Sequence, residues 1–251
     1  MPSTCWASPL GHCSDKISRE HWVSRAFFTA PSVSIKGMAW CKLEEKTIGI
    51  DSAVAKVLCQ HHNSVLSPLD TEAGKFTQVL RAHQRLYEQR SRTGVADGYR
   101  RFAINAKLLE RWMLKTIINV HIDGKLVIGQ GPGIQGQPTL ALVKAAFGMG
   151  SPGGGFGMYV ASHINMAINF AETLAIAPLI LEGGNEIHGA LLNIYGLFFY
   201  FSATEHQAIP TGAVEVLGID WNKCQFAKRF RTMRAVLPNG ARSHEIRFNW
   251  W

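Results

Sequence analysis

Long hydrophobic runs are missing from this chain. No window approaches the roughly 20 uninterrupted apolar residues that a membrane helix needs, and the best apolar stretch, Leu191 to Phe201, is broken by Asn193 and Gly196. A basic start leading into an apolar run is missing too. Met1 to Cys13 is polar and carries proline, glycine and serine, so a cytoplasmic protein with no membrane partner is expected. Charge is sparse, at 18% against about a quarter in an average domain, yet 47% of the 251 residues are hydrophobic, which excludes a disordered tail. The 24 glycines and 10 prolines are ordinary, which excludes collagen-like and low-complexity chains, and no internal repeat is visible. Ser151 to Gly157 is glycine-rich but lacks the Lys-Ser/Thr ending of a phosphate-cradling loop, so it reads as a turn, and Gly131-Pro132-Gly133 reads likewise.

Cysteine is scarce in the last two thirds, where Cys224 stands alone. Cys5, Cys13 and Cys41 fall in the first 41 residues and Cys59 soon after. In a reducing compartment such crowding points to metal ligands rather than disulfides. Cys59-Gln60-His61-His62 places a thiolate and an imidazole on one tight turn, half of a tetrahedral zinc site. Cys5 and Cys13 supply the other half, with His12 able to replace either; Cys41, after Met38 to Trp40 in what reads as a strand, is left out. The expected zinc site is Cys5, Cys13, Cys59 and His62.

Between the two halves lies Ile17-Ser18-Arg19-Glu20-His21-Trp22-Val23-Ser24-Arg25, and Asn63 directly follows His62. An acidic residue and His in the first arm, then Asn after the last zinc ligand, resembles the HNH endonucleases of the ββα-metal class. Zinc-bearing members run roughly C-x2-C, D/E-H-x-x-P, C-x2-C-N. Here Ser24 stands at the proline, His62 at the last cysteine, and Trp22 follows the histidine. The resemblance covers about Cys5 to Asp70. It implies His21 as general base, Glu20 as a metal-binding carboxylate and Asn63 as a further metal ligand. Phosphodiester hydrolysis suits these groups: a base of near-neutral pKa activates water, and hard oxygen donors hold magnesium or manganese. Zinc would be structural.

The net charge of +8 is concentrated. Residues 75–115 hold ten basic side chains against Glu88, Asp97 and Glu110, a local +7. A basic strip is the electrostatic footprint of a polyanion, since neutralised phosphates release counterions. The expected backbone contacts are Lys75, Arg81, Arg85, Arg100, Arg101, Lys107 and Arg111, while a solvated helix face is the plainer account. Lys228, Arg229, Arg231 and Arg234 form a smaller basic cluster. His163, His188 and His206 lack ligand spacing and read as structural or surface residues.

Periodicity predicts a helix over Thr71 to Arg90, capped by Asp70 or Thr71, and a second from about Tyr99 to Val120 on Ile104, Leu108 and Trp112. Thr139 to Phe147 reads as a helix, Ala175 to Leu181 with Ile187 to Phe201 as a hairpin, and Ile246, Phe248 and Trp250 as alternate residues of a half-buried strand. The fold class is α+β: an HNH-like zinc module (1–74), a basic helical connector (75–121) and a β-rich domain of unknown role (122–251). The expected activity is metal-dependent endonucleolytic hydrolysis of nucleic acid, DNA in first place. A catalytically inactive zinc-dependent nucleic-acid-binding or adaptor protein is the alternative, and the sequence is compatible with a homo-oligomer.

Overall fold

Helix α1 runs from Gln60 to Thr93, much earlier in its start than the periodicity suggests. Its first turn is capped by Cys59, whose sulfur accepts from the His62 amide, and it stops at Gly94, which takes the left-handed conformation (φ 70°) that ends helices. Pro68 lies inside it and cannot donate to the Ser64 carbonyl; the Ser67 hydroxyl donates there instead, at 2.8 Å. The expected cap at Asp70 or Thr71 is therefore mid-helix. Leu66, Leu69, Ala73, Phe76 and Leu80 form the buried stripe.

The second predicted helix divides. Arg100–Asn105 is a strand, here called β5, and only Ala106–His121 is helix α2. Phe102 and Ile104 alternate toward the core and pair in parallel with Ile246 and Phe248 of a C-terminal strand, a long-range partner that outweighs helix periodicity. Asn105 then caps α2, its side-chain oxygen accepting from the Leu108 amide at 3.1 Å. Leu140–Ala146 is helix α3, within the predicted span.

The structure, a computed structural model, describes residues 5–28, 30–35, 41, 44–94, 100–122, 127–128, 137–162, 174–180, 186–204, 215–216, 219–220, 224–236 and 242–251. The 38–40 strand before Cys41, the 131–133 turn, His163 and His206 lie outside them. The other strands are β1 (Glu20–His21), β2 (Ser32–Ile35), β3 (Lys46–Gly49), β4 (Val54–Ala55), β6 (Val127–Ile128), β7 (Gly157–Ser162), β8 (Ala175–Ile180), β9 (Glu186–Ile194), β10 (Leu197–Ser202), β11 (Glu215–Val216), β12 (Ile219–Asp220), β13 (Gln225–Lys228), β14 (Thr232–Val236) and β15 (Arg242–Asn249).

The architecture is mixed α+β, with its larger sheet in the C-terminal half. That sheet runs β13-β7-β10-β9-β6, with β8 also on β9. The predicted hairpin is β8 with β9, and the run after Ile187 folds back once more at Tyr195-Gly196, both at positive φ, into β10. Strand β10 is buried on both faces: Phe199 and Phe201 join the main core, Phe198 and Tyr200 a second cluster. A three-stranded sheet, β14-β15-β5, packs Phe248 against Phe76 of α1.

One apolar core draws on all three predicted segments, from Trp6 through Phe76 and Trp112 to Phe201 and Phe248, and position 74 lies within α1. Among the described residues no helix is long and apolar enough to cross a membrane. Ahead of α1, β1 and β4 form a short antiparallel ladder, Glu20 opposite Ala55 and His21 opposite Val54.

Candidate metal centre and adjoining cleft

The chain segment before β1 is pinned to the start of α1. Trp6 N–H donates to the Val57 carbonyl at 3.0 Å, Ser18 N–H to Leu58 at 2.9 Å and Gln60 N–H to Lys16 at 2.9 Å. Gly11 (φ 76°) and His12 (φ 56°) turn the arm so that Cys13 faces back toward Cys5. The His62 Nδ1 then lies 3.4 Å from the Cys5 sulfur, 3.6 Å from Cys13 and 3.2 Å from Cys59. All four donor atoms lie within 4.8 Å of one another. A tetrahedron with Zn–S near 2.3 Å and Zn–N near 2.05 Å has S···N edges of about 3.5 Å, so the donor set fits zinc. These are the four residues expected from the sequence, and together they could hold a metal ion such as zinc. His12 is exposed and outside the group.

Without a cation the thiols differ. Burial pushes Cys5 up to about 12 and also raises Cys13. Burial acts in the same sense on Cys59, but hydrogen bonds from the His62 and Ser14 backbone and the Ser14 side chain outweigh it and bring that thiol down to about 7. A thiolate at a helix N-terminus is the natural first ligand of an incoming cation.

On the next residue of α1 the surroundings change. Asn63 faces a cleft of about 350 Å³ that is also lined by Arg19, Glu20, His21, Ser24, Arg25, Ala26 and Asp70. The structure thus brings Glu20, His21 and Asn63 to one cleft, beside the cysteine cluster and distinct from it. His21 is half-buried, and its Nε2 is buried without a hydrogen-bond partner. Burial lowers its pKa below the ordinary histidine value, Asp51 opposing and Arg25 assisting, so the imidazole is neutral at pH 7.

Glu20 is buried and already engaged. Its Oε1 accepts from the Lys115 ammonium at 2.5 Å. The same ammonium lies 2.7 Å from Asp70 Oδ2. Asp70 Oδ1 accepts from the Ser24 hydroxyl, whose oxygen in turn accepts the Trp112 indole N–H at 2.7 Å. Burial raises the Glu20 carboxyl above the usual range, Lys115 opposing.

Asp70, Lys115 and Ser24 were not singled out for this cleft by the sequence reading. A signal existed for two of them. Asp70 stands two helical turns after Asn63, on the same face, and Lys115 interrupts the apolar stripe that holds Trp112, where a charge demands a buried partner.

The expected polyanion contacts do not form a single set. Lys75, Arg85, Arg100 and Lys107 are exposed. Arg101 pairs with Glu245 at 3.7 Å. Arg81 donates to the Ala26 carbonyl at 3.0 Å and Arg111 to Ala146 at 2.9 Å, tying loops and α3 to the long helices. Lys115, counted in the basic strip, is only 1% exposed. Compared with protein-family models, with curated proteins and with solved structures, the chain finds no match in any of the three.

Proposed function

We propose that the cleft hydrolyses phosphodiester bonds of nucleic acid, DNA in first place, as an HNH-like endonuclease whose general base is His21. The observation that carries this reading is an unpartnered, neutral imidazole in one cleft with Asn63, the residue after the metal-cluster histidine. The order of the β1–β4 ladder followed directly by α1 supports it.

Zinc at Cys5, Cys13, Cys59 and His62 would be structural, because four protein donors close the tetrahedron and leave no position for water or substrate. Its task is to hold the arm before β1 against α1 and so keep His21 and Asn63 in register. The magnesium or manganese implied by the resemblance fits poorly. Of its two expected ligands, Glu20, the only charged one, is already bound by the Lys115 ammonium.

The chain's own groups define the chemistry. The His21 imidazole takes a proton from water admitted to the cleft, the resulting hydroxide attacks phosphorus, and the P–O bond to the leaving sugar oxygen breaks, that oxygen gaining a proton from solvent. Arg19 and Arg25, exposed residues of the cleft lining that also contact Asp51, would balance the phosphate charge. Plasmid nicking by the zinc-loaded protein, assayed with and without magnesium, tests the reading. His21→Ala should remove nicking by at least about a hundredfold and leave the circular dichroism unchanged; nicking that survives this substitution refutes it.

A zinc-dependent nucleic-acid-binding or adaptor protein is the second reading, favoured by the engagement of Glu20 with Lys115. It predicts salt-sensitive DNA binding with no products from the unmodified chain.

A further inference from the structure

We propose that Lys115 is a built-in cation of the cleft: its ammonium fills the position between Glu20 and Asp70 that a divalent ion would take, and so excludes such an ion from the carboxylates. The inference deepens the hydrolytic reading above, but its statement about ion binding can be tested apart from it.

Three elements meet at this point. Glu20 comes from β1, Asp70 from α1 and Lys115 from α2, and Nζ lies 2.5 and 2.7 Å from one oxygen of each carboxylate. Magnesium and calcium sit 2.0 to 2.6 Å from their oxygen ligands, so an ion bridging these two oxygens would coincide with the nitrogen. The other Asp70 oxygen is also taken: Ser24 donates to it, and Trp112 donates to Ser24.

The charges need one another. A lysine on the apolar side of α2, 1% exposed, is tolerable only when paired, and two adjoining carboxylates repel unless a cation separates them. Removing the ammonium should therefore leave a vacant anionic slot of the kind that attracts a divalent ion. Lys115 is too deep to touch a substrate, so it is a positioning residue. It holds the Glu20 and Asp70 carboxylates together and leaves phosphate neutralisation to the rim arginines.

Manganese binding, followed by electron paramagnetic resonance on zinc-loaded protein so that the thiolates are occupied, tests this. The unsubstituted protein and Lys115→Arg should show no site dependent on Glu20. Lys115→Met should gain one, raising the affinity for manganese at least about tenfold over that of the unsubstituted protein, and adding Glu20→Gln should remove it. Nicking by the unsubstituted protein should be the same with and without millimolar magnesium. A manganese site in the unsubstituted protein that Glu20→Gln abolishes overturns the proposal, and so does a folded Lys115→Met that gains none. If Lys115→Met fails to fold, the unsubstituted protein and its Glu20→Gln form decide on the first criterion. Absence of nicking under every condition sinks the hydrolytic reading alone, because the manganese result does not depend on turnover.

Discussion

His21 combines two properties that pull on its proton in the same direction: burial, which disfavours the imidazolium, and an Nε2 with no partner to stabilise it. As a general base it must be unprotonated, and its folded pKa is lowered from 6.5. The nicking rate should then be level through neutral pH and fall only as pH drops through that lowered value, about tenfold per unit below it. A pH–rate profile whose acid limb has its midpoint above 6.5 would contradict this role. The same scale separates what could be read in the sequence from what could not. Cys59 and His62 are three apart on one turn, so local spacing exposed half of the metal cluster. The pairing of Lys115 with Asp70 spans 45 positions and two helices, and no local pattern encodes it.

Among the elements, α1 and the arm before β1 are joined by the Cys5, Cys13, Cys59 and His62 cluster. The arm is fastened by the buried Trp6, whose indole N–H donates to Asn119, by backbone hydrogen bonds to residues 57–60 and by its two cysteines. Zinc at about a thousandfold above its Kd would add on the order of 4 kcal/mol, which is roughly 8–16 °C in Tm for a chain of this size. Chelation or Cys59→Ser should lower Tm by that amount, and elemental analysis should find zinc at unit stoichiometry. A chain that melts at the same temperature with and without the metal would remove zinc from the account of its stability. Helix α1 was legible in its buried stripe but not in its start, because a proline such as Pro68 ordinarily interrupts a helix, whereas here the Ser67 hydroxyl donates to the Ser64 carbonyl that Pro68 cannot reach. Strand β5 was misread as helix because Ile104, Leu108 and Trp112 fit a four-residue spacing, while the partner that makes it a strand lies near residue 246.

Across the molecule, His83 of α1 and His244 of β15 face each other in the interior, with ring centroids 5.9 Å apart. Burial, aided by His244, lowers His83 from 6.5 to about 4. The unfolded chain therefore binds the proton more readily between those two values, and stability is lost as pH falls from 6.5 toward 4. After allowance for solvent screening the loss is on the order of 2 kcal/mol, or roughly 4–8 °C in Tm. Thermal melts at neutral and acid pH should show it, and His83→Leu should flatten the dependence; an equal slope in that variant would assign the acid sensitivity to other groups. The general α+β class and the strand-rich C-terminal half were readable from composition and turns. The continuous core was not, since it is assembled from residues as distant as Trp6 and Phe248.

The parallel pairing of β5 with β15 also constrains biosynthesis. Until residues 242–249 have emerged from the ribosome, β5 presents a bare edge and Phe76 lacks the aromatic neighbour Phe248. A nascent chain stalled before that point would display a sticky margin, so holding by a chaperone should be needed until that stretch has emerged.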